Sequence, residues 1–412
     1  MKRALALVLI LVMFFTFSGF GSKISNTPAE APAADTGNSI PDGFEATGYI
    51  YESSYGDTTF FLVVKNNTDS AVSISGNALA KDVNGGSIGA GNFAIDVLGP
   101  GEESIAYSYF NNVSGVDSVS YQMVAKTDPR YSPVLGSLDV ARFDNEQNVA
   151  VAVTNKGSIG AQFVEAYALF MDADNNVVRY SSTYLTDINN EIKPGDTLYA
   201  QLDSYDSYDH ALVYLTGRSD GKADHVENPF DAAQLSVREF WYESRWGDTY
   251  LFLAVTNNSN VDVEVEGNAA ALDANGNVLG ADGMSIDVIG PGQESIGYFY
   301  FDEVSGVDHV DYNLQGDPDS YYVDIIAGLE GDASINNNNV VISLTNNGPI
   351  PAKFVEVYAL FFDANDNMVD WDYTYVTDDD NEIKPGSTLS AQLDTNETFD
   401  YAELFITGRG SK

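Results

Sequence analysis

The chain has 412 residues and a formal net charge of −42, from 61 acidic residues against 19 Lys and Arg. That balance excludes a phosphate-backbone binder, which needs a basic stripe, and opposes docking on anionic lipid headgroups. A hydrophobic fraction of 44%, with 25 Tyr and 22 Phe, supplies ample core and argues against wholesale disorder; the absence of cysteine excludes disulfides, thiolate metal sites and cysteine nucleophiles.

Lys2 and Arg3 precede the apolar run Ala4 to Phe17, interrupted only by Thr16. That run is shorter than the roughly 20 residues of a membrane span and reads as the core of a signal peptide. The following Phe17-Ser18-Gly19-Phe20-Gly21-Ser22 looks like a bacterial lipoprotein lipobox with Phe20 where the lipid-bearing Cys would stand. Residues 1–22 are therefore expected to be a signal peptide with a degenerate lipobox, which sends the protein to the cell surface or beyond. Residues 23–43, rich in Pro, Ala, Ser, Thr and Gly without apolar period, are expected to be a flexible tether.

The rest is a repeat. Tyr51-Glu52-Ser53 recurs as Tyr242-Glu243-Ser244, and Asn190-Glu191-Ile192-Lys193-Pro194-Gly195 as Asn381-Glu382-Ile383-Lys384-Pro385-Gly386, each 191 positions on. A fainter unit recurs within each half. Its strand ends in Asn at Asn66, Asn155, Asn257 and Asn346, its Asp turns begin at Asp82, Asp172, Asp273 and Asp363, and its Pro-Gly turns are Pro100-Gly101, Pro194-Gly195, Pro291-Gly292 and Pro385-Gly386. This divides the chain into modules at 44–127, 128–218, 235–318 and 319–409, with a polar linker at 219–234.

Every module reads as strand. Val261, Val263 and Val265 alternate with acids, giving one buried face, and Ile105, Tyr107 and Tyr109 alternate likewise. Phe60 to Val64 and Ala168 to Met171 are continuous apolar runs suited to strands covered on both faces. The expected fold is all-β: four tandem immunoglobulin-like β-sandwich modules arranged as two repeated pairs. The Asn-Asn after the first strand and the turn Phe361-Phe362-Asp363-Ala364-Asn365-Asp366-Asn367, with Leu169-Phe170-Met171-Asp172-Ala173-Asp174 as a weaker copy, resemble bacterial FxLYD-type domains. Ala80-Lys81 and Ala271-Leu272 depart from that pattern. The resemblance implies small extracellular β-sandwiches and supplies no functional residues.

Three constellations could carry chemistry. The Asp turns place oxygen ligands at alternate positions, which suits Ca²⁺. They lack the sixth-position Gly and twelfth-position Glu of an EF-hand, so turn-capping is the expected role and no cofactor is required. Asp378-Asp379-Asp380 with Glu382 is the densest acidic run and reads as a solvated loop. The aromatics carry the stronger signal. In Glu239-Phe240-Trp241-Tyr242-Glu243, alternation puts Phe240 and Tyr242 on one face and Trp241 with the acids on the other. Trp246 sits at an expected hairpin tip, Trp371 lies between two Asp, and Tyr51 and Tyr55 are the first-half counterparts of Tyr242 and Trp246.

Trp241, Tyr242, Trp246, Tyr51 and Tyr55 are thus candidate ligand-binding residues, against packing at module junctions as the simpler role. Three scattered His and the absence of nucleophile-elbow, Walker or HExxH patterns give no support to an enzyme. The sequence points to a non-catalytic exported bacterial protein, a modular binding or spacer protein whose partner is a cell-wall glycan or a protein. The alternatives are a carbohydrate-binding protein using exposed aromatics and a calcium-rigidified adhesin.

Overall fold

Thr58–Asn66 and Ala161–Met171 are apolar at consecutive positions, so each needs cover on both faces. A computed structural model supplies that cover. It describes residues 37–145, 147–187, 189–221, 230–318, 320–336 and 338–411. The signal segment, residues 23–36 of the tether and 222–229 of the linker lie outside them. The described chain is all-β, built from small antiparallel sheets with short 3₁₀ turns between them.

Eight sheets stack face to face. In spatial order, layer 1 is Ser87–Leu98, Val72–Lys81 and Ser118–Thr127, and layer 2 is Phe44–Glu52, Thr58–Asn66 and Glu103–Phe110. Layer 3 is Val177–Tyr184, Ala161–Met171 and His210–Arg218, with Glu191–Ile192 paired to its middle strand; layer 4 is Thr197–Asp203, Asn148–Asn155 and Leu138–Asp144. Layer 5 is Val278–Ile289, Val263–Leu272 and His309–Asp317, and layer 6 is Leu235–Glu243, Thr249–Asn257 and Glu294–Phe301. Layer 7 centres on Ala352–Phe362 between Met368–Tyr375 and Tyr401–Ser411, and layer 8 is Leu329–Asn336, Asn339–Asn346 and Thr388–Asp394.

Seven apolar clusters fill the seven spaces between these layers. Strand alternation explains how one strand serves two of them. Phe60, Leu62 and Val64 face layer 1, while Phe61 and Val63 face layer 3. Ala168 and Phe170 face layer 4, while Leu169 and Met171 face layer 2. Each of these side chains larger than Ala168 contributes about 1.5–3 kcal/mol when fully buried. Four clusters make four sandwiches (layers 1–2, 3–4, 5–6 and 7–8); the other three join them, so Asn38–Lys412 is one compact unit. At the edges of the expected tether and linker, Ser39 bridges Gln122, Ile40 packs on the first core, and Phe230 packs on the third.

The recurring Asn and Pro-Gly turns form one device. Asn257 is fully buried. Its Nδ2 donates to the Val261 carbonyl at 2.7 Å and the Ile289 carbonyl at 2.8 Å, while its Oδ1 accepts the Ser259 N–H at 2.9 Å. Its own carbonyl accepts the N–H of Gly292, which holds φ +72° as only a turn glycine does cheaply. The side chain thereby closes its own turn and ties it to the strand end of the facing sheet. Asn66, Asn155 and Asn346 repeat the arrangement.

The layer 4–5 junction is more polar. The Asn268 amide receives the Tyr199 N–H at 2.9 Å and donates to the Tyr199 carbonyl at 2.9 Å, standing in for a missing strand. Phe143, Ala150 and Tyr199 pack on Ala270, Leu272 and Val278. Val263 and Val265 are buried in the third core, and the opposite face is half-buried as well: burial raises the carboxyls of Glu264 and Glu266 above the ordinary range.

The two outermost faces differ from this junction at the matching positions. Layer 1 presents Asn77, Leu79, Lys81 and Ser87 where layer 5 has Asn268, Ala270, Leu272 and Val278. Layer 8 presents Ser334 and Ser390 where layer 4 has Phe143 and Tyr199, and its Ser343–Ser390 and Thr345–Thr388 hydroxyl pairs bond at 2.7 Å. Lys81 and Ser87 in layer 1 and the serines of layer 8 replace the apolar partners of the layer 4–5 junction, as suits the ends of a stack.

Candidate functional site

The Asp turns resolve first. In all four, Oδ1 of the leading Asp accepts two backbone N–H groups, two and four residues on, at 2.7–2.9 Å. Hydrogen bonds from Asn277 and Asn367, led by their side-chain amides, hold Asp273 and Asp363 down at about 2. Because the folded value lies below the unfolded one of about 3.9, the turns' contribution is present above that pH and lost as pH falls toward 2. A carbon-detected NMR titration should give midpoints near 2 for Asp273 and Asp363; midpoints near 4 would show the bonds are not made in solution. In the acidic run, Lys384 Nζ lies 3.1 Å from Asp378 and 3.0 Å from Asp380. Among the described residues, no three His, Cys, Asp or Glu side chains gather closely enough to hold a metal ion.

The five aromatic candidates do not converge. Tyr51 packs at the layer 2–3 junction with its ring edge-on to Tyr180 at 5.2 Å, and Tyr242 packs at the layer 6–7 junction. Phe240 shares the Tyr242 face, as alternation predicts, and Trp241 on the opposite face is 39% exposed. Tyr55 and Trp246 stand at hairpin tips, 92% and 77% exposed. Trp371 is a junction residue, its ring 5.0 Å from Phe252 and 5.1 Å from Tyr250.

A different set does converge. Along Met368–Tyr375, period two puts Trp371, Tyr373 and Tyr375 on one face. Trp371 is covered by layer 6, but the strand runs past that cover, leaving Tyr373 47% and Tyr375 53% exposed. Glu356 pairs across the sheet with Tyr375, and Tyr358 with Tyr373. Tyr358 donates its hydroxyl to Glu356 Oε2 at 2.9 Å, and its ring stacks on Tyr373 at 5.5 Å. Tyr375 is pushed up to about 12, first by its hydrogen bond to Glu356. Tyr298 faces Tyr358 at 6.3 Å from layer 6, and the Asp282 carboxylate, raised by burial, accepts the Tyr300 N–H at 2.7 Å. Asp282, Tyr298, Tyr300, Glu356 and Tyr358 line a cleft of about 450 Å³ on the side of the junction, and Tyr373 and Tyr375 flank it through their contacts with Tyr358 and Glu356.

The layer 2–3 junction carries several of the matching residues. Tyr167 donates to Glu165 Oε2 at 2.8 Å, and Tyr107 lies 6.4 Å from Tyr167. Tyr107, Tyr109 and Tyr184 are 52%, 50% and 60% exposed. Gly91 and Ser182 stand where the other cleft has Asp282 and Tyr373. Both junctions are pinned alike: Arg218 pairs with Asp96 and lies over the Tyr131 and Phe163 rings, and Arg409 pairs with Asp287 over Tyr322 and Phe354. Alternating tyrosines at 107/109, 298/300 and 373/375 are the visible sequence signal for these groups; Glu165 and Glu356 carry none, because one acid among 61 is invisible until the fold gathers its partners.

No family model matches the chain, and no curated protein matches it. Among solved structures it is similar to a red sea bream transglutaminase, with 8% identity over 85% of this chain and 94% of that one at a TM-score of 0.16. It is also similar to the BSP domain of a biofilm-associated protein, with 9% identity over 92% and 96% at a TM-score of 0.13. Overlays this loose carry no argument about fold or function.

Proposed function

We propose that this is an exported, non-catalytic rod: four immunoglobulin-like modules in two repeated pairs, stiff enough to act as a spacer and to hold surface sites at fixed separation. The observation that carries this reading is the filling of all three inter-sandwich junctions. Junctions 2–3 and 6–7 share the arginine sandwich and a serine-to-carbonyl bond, Ser104 to Leu215 at 2.8 Å and Ser295 to Ile406 at 3.3 Å. Linked domains move freely by default unless their interface is substantial and apolar; these interfaces bury Phe61, Leu169, Phe252 and Leu360. Export is supported by Lys2, Arg3 and the apolar run that follows.

Sheets packed about 10 Å apart give eight layers a length of roughly 80 Å. Small-angle scattering of the protein from Asn38 onward should return one rigid particle with a maximum dimension near that value. A distribution of dimensions well beyond it would mean that the modules are beads on a string.

A further inference from the structure

We propose that the sides of the two junctions are sites for a neutral glycan chain, one per module pair, the layer 2–3 site being the plainer because Ser182 replaces the middle ring of the row. The proposal deepens the rod reading and rests on it only for the spacing between sites. Tyr373 and Tyr375 continue the row begun by Trp371, whose ring lies 6.0 Å from that of Tyr373 and nearly parallel to it. Such an open row suits a chain of sugar rings, whose C–H faces stack on aromatics. A point cation needs rings closed around it instead.

The polar groups fit the same occupant. Glu356 is fixed by the Tyr358 hydroxyl at 2.9 Å and by Tyr375, and Glu165 by the Tyr167 hydroxyl at 2.8 Å. Each carboxylate keeps free lone pairs to accept sugar hydroxyls beside a ring face. A concave site with aromatic walls and a few convergent polar groups is the usual form of a small-ligand site. The exposed tyrosines are held by a sheet rather than a loop, so little side-chain entropy is lost on binding. The sites repeat after four layers, about 40 Å, so a long chain would reach both and gain avidity that a short oligomer cannot.

The test is titration of the full chain, followed by calorimetry and tryptophan fluorescence, since Trp371 adjoins one cleft. The probes are neutral β-linked hexose and N-acetylhexosamine oligomers, the corresponding polymers, and a lysine-rich peptide. Oligomer binding should occur at two sites per chain. Tyr375→Ala should remove one and Tyr184→Ala the other, with the fold unchanged because both rings are half-exposed. Polymer should bind at least about tenfold more tightly than oligomer, and either single variant should abolish that gain.

Absence of binding by every neutral probe, or binding indifferent to both variants, would overturn the site. Binding of the lysine-rich peptide alone, lost in Glu356→Gln, would overturn its neutral-glycan chemistry. Two-site oligomer binding without polymer gain would support the sites and count against the rigid spacing.

Discussion

Asn257→Asp should destabilise the third sandwich by roughly 2–4 kcal/mol at neutral pH, one of the two largest effects expected of a single substitution. The change is nearly isosteric, so no cavity explains it. The fully buried side-chain amide donates to the buried Ile289 carbonyl and to the part-buried Val261 carbonyl, which also accepts from the Ser259 hydroxyl. A carboxylate there replaces two donors by acceptors facing acceptors, and each buried carbonyl left unpaired costs about 1–3 kcal/mol. The loss should depend on pH in a defined direction. Burial among carbonyls raises the variant carboxyl above its unfolded value of about 3.9. Its protonated form restores one donor, so the deficit relative to the parent is smallest below that pH and grows as pH rises through the folded value. Urea unfolding of variant and parent at matched pH values checks this; a deficit under 1 kcal/mol, or one independent of pH, would refute the staple.

Phe252→Ala should cost about 3–5 kcal/mol and loosen the layer 6–7 junction. Phe252 is completely buried, yet it lies outside either sandwich core, against Trp371 at 5.0 Å and Tyr298 at 5.3 Å. Its loss should therefore uncouple the third and fourth sandwiches. The parent should unfold both in one transition, the variant in two, with a larger scattering radius before the first. Phe252→Leu, which keeps most of the volume, should retain the single transition at a cost of about 1–1.5 kcal/mol. An unchanged single transition in Phe252→Ala would mean the junction contributes nothing to cooperativity.

Much of this was legible in the sequence, for a physical reason. A strand with water on one side alternates, whereas Phe60 to Val64 and Ala168 to Met171 do not, so double cover could be read directly. The recurrence of Asn before a Pro-Gly turn marked a conserved device, but not its nature. The Asn66 and Asn257 amides reach the Leu98 and Ile289 carbonyls, 32 residues away, and only the folded chain brings them together. Trp241 and Trp246 stand out in the sequence by alternation and turn position, and Tyr51 and Tyr55 only as repeat counterparts. Tyr51 and Tyr242 pack at the junctions, because a face left open by one sheet is covered when the next sheet arrives. The clefts depend on where one sheet overhangs another, and strand crossing is not written in any single strand.

The stack also fixes how such a protein can change size. Layers 2 and 6 are repeats of each other, as are layers 3 and 7. An in-frame duplication of layers 3–6, one 191-residue period, would set a copy of layer 6 against a copy of layer 3. That contact is of a type the stack already makes, and so is every other contact the duplication creates. Added at either end, the same segment would meet Lys81 and Ser87, or Ser334 and Ser390, where the apolar partners of the layer 4–5 junction are missing. Growth is therefore favoured from the middle, in graduations of about 40 Å. Descendants of this gene should differ in reach by whole steps, with the same two terminal faces on all of them.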